Sequence, residues 1–195
     1  MKKDIVIAGV GGQGIVSIAS VIGFAAIEAG LNFKQSEVHG MSQRGGDVSS
    51  HFRLSTNEIA SDLIPFGKAD IIISVEPMES LRYLPVLSRE GWLITSTKPF
   101  INIPNYPDLE LILSEINSFP NHVALDAEAI AKTCGSPKAA NIVILGAAIP
   151  HLDIPEEAIK SAIKRIFGRK GDAIVEMNLK ALEAGKNFIS SNQEA

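Results

Sequence analysis

Two glycine-rich loops hold the residues whose types and spacing could do chemistry. The first, Gly9-Val10-Gly11-Gly12-Gln13-Gly14, satisfies G-x-G-x-x-G and sits between a β-branched run, Asp4–Gly9, and a helical pattern. Glycines there let the backbone turn tightly and bring peptide N–H groups up to an anion, whose charge also meets the positive end of the helix. Gly9, Gly11, Gly12, Gln13 and Gly14 are therefore candidate cofactor-binding residues. The same spacing also serves a strand-to-helix turn that needs glycine for packing alone. The second loop crowds Glu37, His39, Ser42, Gln43, Arg44 and Asp47 around Gly40, Gly45 and Gly46. An arginine among glycine N–H groups can grip a phosphate or carboxylate. Arg44 can as readily pair with Glu37 or Asp47 and stiffen a surface turn. Glu37, His39, Gly40, Ser42, Gln43, Arg44, Gly45 and Gly46 are the candidates for a loop that faces a partner or an anion.

Other chemistries find less support. A dinucleotide site wants an acid about 20 residues beyond the first loop to hold the ribose. Glu37 lies near that place, but it runs at once into the polar His39-Gly40 loop and then a further strand, where a crossover helix would be expected. A free-standing NAD- or FAD-binding module or dehydrogenase is thus the alternative reading. His51, His122 and His151 are scattered without a His-x-x-x-His or a neighbouring acidic pair, so no metal site is expected. No Gly-x-Ser-x-Gly elbow accompanies Ser42, and no Gly-x-x-x-x-Gly-Lys-Ser/Thr phosphate loop is present. The single cysteine, Cys134, excludes an internal disulfide and any zinc site or iron–sulfur cluster held on thiolates of this chain alone. It reads as a small packed residue and fits a cytoplasmic protein.

The elements that must position these loops belong to a chain of 195 residues, 46% hydrophobic and 21% charged. That composition supports one globular domain, residues 1–195, with a real core. Eighteen Lys and Arg against 22 Asp and Glu leave a formal charge of −4, with no basic block for nucleic acid or an anionic membrane. Residues Ile5–Ile27 carry no charge, which by length would allow a membrane span or an export signal. Five glycines, Gln13 and a change of period from strand to helix argue for strand, turn and helix instead. The helix should run from about Gly14 to Ala29 and stop at Gly30. Strands are expected at Leu31–Val38, Val48–Leu54 (one wet face, near a sheet edge), Ala69–Val75, Gly91–Thr95 and His122–Leu125. Between and after them lie helical patterns at Met78–Leu87, Leu109–Ile116 and Ala127–Thr133, and then from Ala139 onward. Asp153 with Glu156 suggests a capping box, and Ile174, Met177, Ala181, Ala184 and Phe188 suggest the buried stripe of the last helix. The expected fold is α/β: a Rossmann-like three-layer, mostly parallel sheet with helices on both faces and a helical C-terminal tail from about residue 150.

Taken together, the two loops resemble a known family. Gly9–Gly14 with Ser36-Glu-Val-His-Gly-Met-Ser-Gln-Arg-Gly-Gly46 resembles the gamma-type subunit of the 2-oxoacid:ferredoxin oxidoreductases, in the form of the small (beta) subunits that act on indolepyruvate. Glu76-Pro-Met-Glu-Ser-Leu-Arg82 and Gly135-Ser-Pro-Lys-Ala-Ala-Asn141 support the match, which extends to about Phe167. The resemblance implies a large alpha subunit carrying thiamine diphosphate, magnesium and iron–sulfur clusters, with ferredoxin reached through that subunit. It implies coenzyme A as co-substrate in the oxidative decarboxylation of a 2-oxoacid, and no cofactor bound by this chain alone. It further implies that Glu37, His39, Gln43 and Arg44 face the partner or anionic cofactor groups, and it leaves a homodimer of the isolated chain open.

Overall fold

A computed structural model describes residues 1–40 and 45–193. The β-branched run at the N-terminus becomes β1 (Lys2–Val10), buried from Asp4 onward. It is followed by α1 (Ile15–Glu28), which ends where Gly30 takes a left-handed φ of 70°. The hairpin β2 (Asn32–His39) and β3 (Asp47–Ser55) comes next, then β4 (Ala69–Ser74), α2 (Pro77–Arg82) with Pro77 in its first turn, and β5 (Leu87–Ser96). The order continues with α3 (Leu109–Asn117), β6 (His122–Leu125), α4 (Ala127–Thr133), α5 (Ala140–Leu152), α6 (Glu156–Phe167) and α7 (Asp172–Gln193). The sheet order is β2-β3-β1-β4-β5-β6; β1, β4, β5 and β6 are parallel, and β3 runs antiparallel to both its neighbours.

Strand alternation divides the core into the two expected layers. Ile5, Ile7, Ile71, Ile73 and Ile94 point to the face covered by α1 and α4–α7, whereas Val6, Ile72 and Leu93 point to the face covered by α2 and α3. Each such side chain contributes about 1.5–3 kcal/mol by leaving water. The three-layer expectation holds, and several details of it change.

β3 is not at the edge. It lies between β1 and β2, and β2 is the edge strand. Its supposedly wet face is covered by the connection at residues 56–68, because Arg53 donates from Nη1 to the carbonyls of Ser61 and Leu63 at 3.1 and 3.0 Å. Arg53 also grips the fully buried Asp4 from Nε and Nη2 at 2.7 and 3.0 Å. Such a pair is tolerated in the interior only because both carboxylate oxygens are met. Asp153 caps nothing at the start of α6; it ends α5 in a left-handed conformation, φ 55°, and pairs with Lys3 at 2.7 Å. The expected helix at Met78–Leu87 breaks after Arg82, and β5 begins at Leu87, four residues earlier than the sequence suggests.

The helical C-terminal tail packs back onto the fold and joins its core. α5 and α7 cross at two glycines: a Cβ on Gly146 would collide with the Leu182 backbone, and one on Gly185 with the Val143 backbone. This approach buries Asn178, Ala181, Leu182, Gly185 and Ile189, so the buried stripe is rotated from the one expected by one position along the helix.

Candidate functional site

Parallel strands β1 and β4 are neighbours whose chain connections leave in opposite directions, β1 toward β2 and β3, β4 toward β5 and β6. A crevice opens at the carboxyl ends of strands at such a switch point. Three loops converge on it.

The first is the glycine loop after β1. Gln13 turns its side chain back, so that the Val10 N–H donates to Gln13 Oε1 at 2.8 Å while the Gln13 N–H donates to the Val10 carbonyl at 3.0 Å. Gly14 then enters α1 with φ 82° and ψ 29°, a left-handed conformation, and a Cβ there would strike the carboxamide of Asn141. Asn141 Nδ2 in turn donates to the Gly14 carbonyl at 3.2 Å. No side chain caps α1 and its first turn holds no acid, so its amide end is electrostatically open to an anion.

The second loop docks on the first through the backbone, the Gly11 N–H donating to the Gly46 carbonyl at 2.8 Å. Gly40 N–H bonds the Asp47 carbonyl at 2.8 Å and closes the base of that loop. The side chains of Glu37 and His39 meet each other on β2, His39 Nε2 against Glu37 Oε1. They are separated from β1 by β3 and line neither of the cavities described below. Ser42, Gln43 and Arg44 lie outside the described residues.

The third loop, residues 97–107, is a strap tied down by Glu76. This residue lies fully buried in the turn between β4 and α2. Its Oε2 accepts from the Glu79 N–H at 2.8 Å, capping α2, and its Oε1 accepts from the Phe100 N–H at 3.2 Å and the Tyr106 hydroxyl at 2.5 Å. Burial and then the bond to Glu76 push the Tyr106 hydroxyl well above the usual phenol range. Burial likewise raises the Glu79 carboxyl, with the Arg82 guanidinium beside it opposing. At its far side the strap reaches the second glycine loop, where Asn102 Nδ2 donates to the Gly45 carbonyl.

Two cavities of about 400 and 550 Å³ meet where Gly12, Gln13, Lys138 and Asn141 line both. The smaller lies under the strap against Val75, Ser96 and Lys98; the larger runs past Ser17 and Ser136 toward Lys170. Of the five residues expected at the first loop, Gly12, Gln13 and Gly14 reach these cavities. Gly9 is closed over by Ile15, and Gly11 is engaged with the second loop. Lys98, Lys138, Asn141 and Glu76 were not among the expected site residues. The available signal was the clustering of polar residues just after each parallel strand, Ser74–Glu76 and Ser96–Lys98 among them.

The arrangement also bears on the dinucleotide reading. In a dinucleotide site the ribose acid follows a strand beside β1. Here antiparallel β3 occupies that place, and Glu37 is one strand further out. The alternative finds no support in this topology.

Comparison with known proteins agrees. Over 206 residues the chain is 37% identical to an indolepyruvate oxidoreductase subunit IorB of Archaeoglobus fulgidus, covering 99% of this chain and 98% of the relative. The family model for pyruvate ferredoxin/flavodoxin oxidoreductase matches residues 4–188. The chain belongs to that family. Among solved structures of the family's fold, the gamma subunit of a keto/oxoacid ferredoxin oxidoreductase from Geobacter sulfurreducens superposes with a TM-score of 0.67 at 26% identity, covering 94% of this chain and 95% of that one. A 2-oxoglutarate:ferredoxin oxidoreductase from Magnetococcus marinus, with 2-oxoglutarate, coenzyme A and succinyl-CoA bound, superposes with a TM-score of 0.76 at 22% identity. That match covers 97% of this chain and 31% of the other, so the whole of the present fold corresponds to one part of a longer polypeptide.

Proposed function

We propose that this chain is the small subunit of a cytoplasmic 2-oxoacid:ferredoxin oxidoreductase that acts on an aryl pyruvate of the indolepyruvate type. Its full-length similarity to an indolepyruvate oxidoreductase subunit carries the reading. The partner is a large subunit that supplies thiamine diphosphate, magnesium and the clusters, and through them the route to ferredoxin. A chain with one cysteine has no means of ligating a cluster by itself. The cofactors carry the difficult chemistry, and this subunit's task is orientation and electrostatics.

The crevice is suited to the coenzyme A side of the reaction. Its amide-lined turn and the lysines Lys98 and Lys138 offer positive potential to a polyanionic thiol. Holding the thiol in place makes its attack on the acyl intermediate effectively unimolecular. The second glycine loop, Glu37, His39, Gly40, Gly45 and Gly46 with Ser42, Gln43 and Arg44, is placed on the partner side in this scheme. The strap and the Gly11–Gly46 bond join that side to the crevice.

The test is reconstitution. Co-expressed with the large subunit of an indolepyruvate oxidoreductase, this chain should co-purify and support coenzyme A-dependent ferredoxin reduction, faster with indolepyruvate than with pyruvate or 2-oxoglutarate. A preference for either of the other acids would reassign the substrate. Tight binding of NAD or FAD by the isolated chain, without complex formation, would overturn the function.

A further inference from the structure

The strap carries apolar side chains that the chain leaves in the open. From Pro99 to Pro107 it has no charged residue, in a sequence that is 21% charged. Phe100, Ile101 and Ile103 are 43%, 71% and 37% exposed. Single exposed apolar side chains are ordinary on a protein surface, but three within four positions of one loop make a patch. The patch is also held in shape. Glu76 accepts from the Phe100 N–H and the Tyr106 hydroxyl, and Pro99, Pro104 and Pro107 restrict the backbone around them. An apolar surface fixed before anything touches it loses little entropy when it is covered.

The position of the patch says what covers it. Asn102, between Ile101 and Ile103, donates to the Gly45 carbonyl, so the patch is continuous with the second glycine loop. Val38, 60% exposed, stands on β2 at the entry to the same loop. Phe100 lines the smaller cavity, whereas Ile101 and Ile103 line neither. The strap thus has an inner side toward the crevice and an outer side toward solvent. A group held in the crevice meets an intermediate on another subunit only if that subunit seats at the crevice mouth, whereas a second copy of this chain seated there would shut it. The fold also corresponds to 31% of a longer polypeptide, where the rest is joined to it covalently. A separate chain must replace such a link with buried apolar area. We infer that the strap is the apolar centre of the docking surface for the large subunit, with Ile101 and Ile103 inserting into that partner. The inference rests on the subunit role proposed above and adds the place of contact. A stable interface buries about 800 Å² on each partner, more than the strap alone offers, so the second glycine loop and Val38 extend it. Lys98 and Asp108, at the two ends of the uncharged stretch, belong to its polar rim.

Biolayer interferometry of the full chain on the large subunit of an indolepyruvate oxidoreductase tests this. Ile101→Glu and Ile103→Glu should each weaken assembly about tenfold, and together about a hundredfold, because each puts a charge into the apolar centre of the contact. Both variants should melt like the wild type, since the replaced side chains are exposed. Ile27→Glu, at an exposed apolar position near the far end of α1, should assemble with unchanged affinity. Hydrogen exchange of the wild type gives a reading that needs no substitution: the Ile101 and Ile103 amides should slow when the large subunit is added. Wild-type affinity in the double variant, an equal loss in Ile27→Glu, or strap exchange that the large subunit leaves unchanged overturns the docking surface and leaves the subunit role standing. So does an isolated chain that sediments as a dimer, becomes a monomer with Ile101→Glu and keeps its affinity for the large subunit, since the strap then binds a second copy. Failure of the wild type to assemble at all overturns the subunit role and the docking surface with it.

Discussion

A carboxylate sealed at the end of a strand must be satisfied by its own protein, because an unmet buried charge costs several kcal/mol. Glu76 meets that demand with three donors from two pieces of chain: the Glu79 amide in the first turn of α2, and the Phe100 amide and Tyr106 hydroxyl of the strap. Satisfying the charge therefore fixes the strap, and the strap roofs the smaller cavity. Glu76 is a positioning residue on this view, since it touches the strap and not the space beneath. Tyr106→Phe deletes one donor and should lower stability by about 1–2 kcal/mol, as for a hydrogen bond to a charged group that is partly exposed. Hydrogen exchange should speed up selectively at the Phe100 amide and along residues 97–107. Glu76→Gln should do the same more severely, because an amide has one accepting oxygen where the carboxylate uses two, so the cap of α2 and the strap bonds cannot both be kept. Exchange that rises equally over the whole sheet would show that Glu76 supports the core rather than the strap. Asn102, between Phe100 and Tyr106 in the strap, carries the link to Gly45, so loosening should spread to the second glycine loop.

Among the elements, the contact of α5 with α7 sets what the C-terminal third contributes. Two glycines are used reciprocally there, Gly146 against Leu182 and Gly185 against Val143, and in each case the obstacle to a methyl group is backbone, which cannot rotate away. Gly146→Ala or Gly185→Ala should therefore cost about 3 kcal/mol, at the upper end for overpacking. The denaturation midpoint reports the loss, and faster exchange along α7 locates it; a wild-type midpoint for both variants would show that the helices separate without penalty. This contact explains why the buried stripe of α7 was read one position out. Its apolar residues support more than one stripe, and a glycine facing a glycine-bearing helix gives no hydrophobic signal. β1, α1, β4 and β6 were legible because their periodicity and glycine stops are strong and local. The position of β3 was not, since alternation shows which residues share a face and says nothing about which strand lies alongside. The first glycine loop was legible as the turn from strand to helix that reaches the crevice, but Glu76, Lys98 and Lys138 were assembled from separate loops by the parallel sheet. No spacing rule links residues brought together that way.

At the scale of the whole molecule, two histidines make stability depend on pH between neutrality and mild acid. His51 lies under the 56–68 connection with its Nδ1 accepting from the Ile64 N–H at 3.0 Å, a role open only to the neutral ring. Burial holds its pKa below 6.5, with Arg53 adding to the effect and Asp62 and Asp4 opposing it. His151 stacks on Trp92, ring centroids 4.0 Å apart, and its Nε2 is buried without a hydrogen-bond partner among the described residues. Burial lowers its pKa too, assisted by Lys3 and opposed by Asp153. The sign follows from linkage. Above the unfolded value of 6.5 both states are neutral and stability is full; as pH falls through the lower folded values, the unfolded chain takes up protons that the fold refuses, and stability drops. The carboxyls of Glu128, Glu156 and Glu176 are held below 4.5, so their loss belongs to a more acid range, whereas Glu79, raised above 4.5, runs opposite to the histidines. The melting temperature should therefore fall between pH 7.5 and pH 5 by more in the wild type than in His51→Asn, which keeps an acceptor for Ile64 without titrating. His151→Phe should flatten the profile further and raise stability at neutral pH by about 1 kcal/mol, because it preserves an aromatic stack on Trp92 and removes a buried nitrogen that none of the described residues satisfies. If the double variant loses as many degrees as the wild type over this range, the acid sensitivity arises elsewhere. The two rings would then be packing groups whose charge the fold never has to resist.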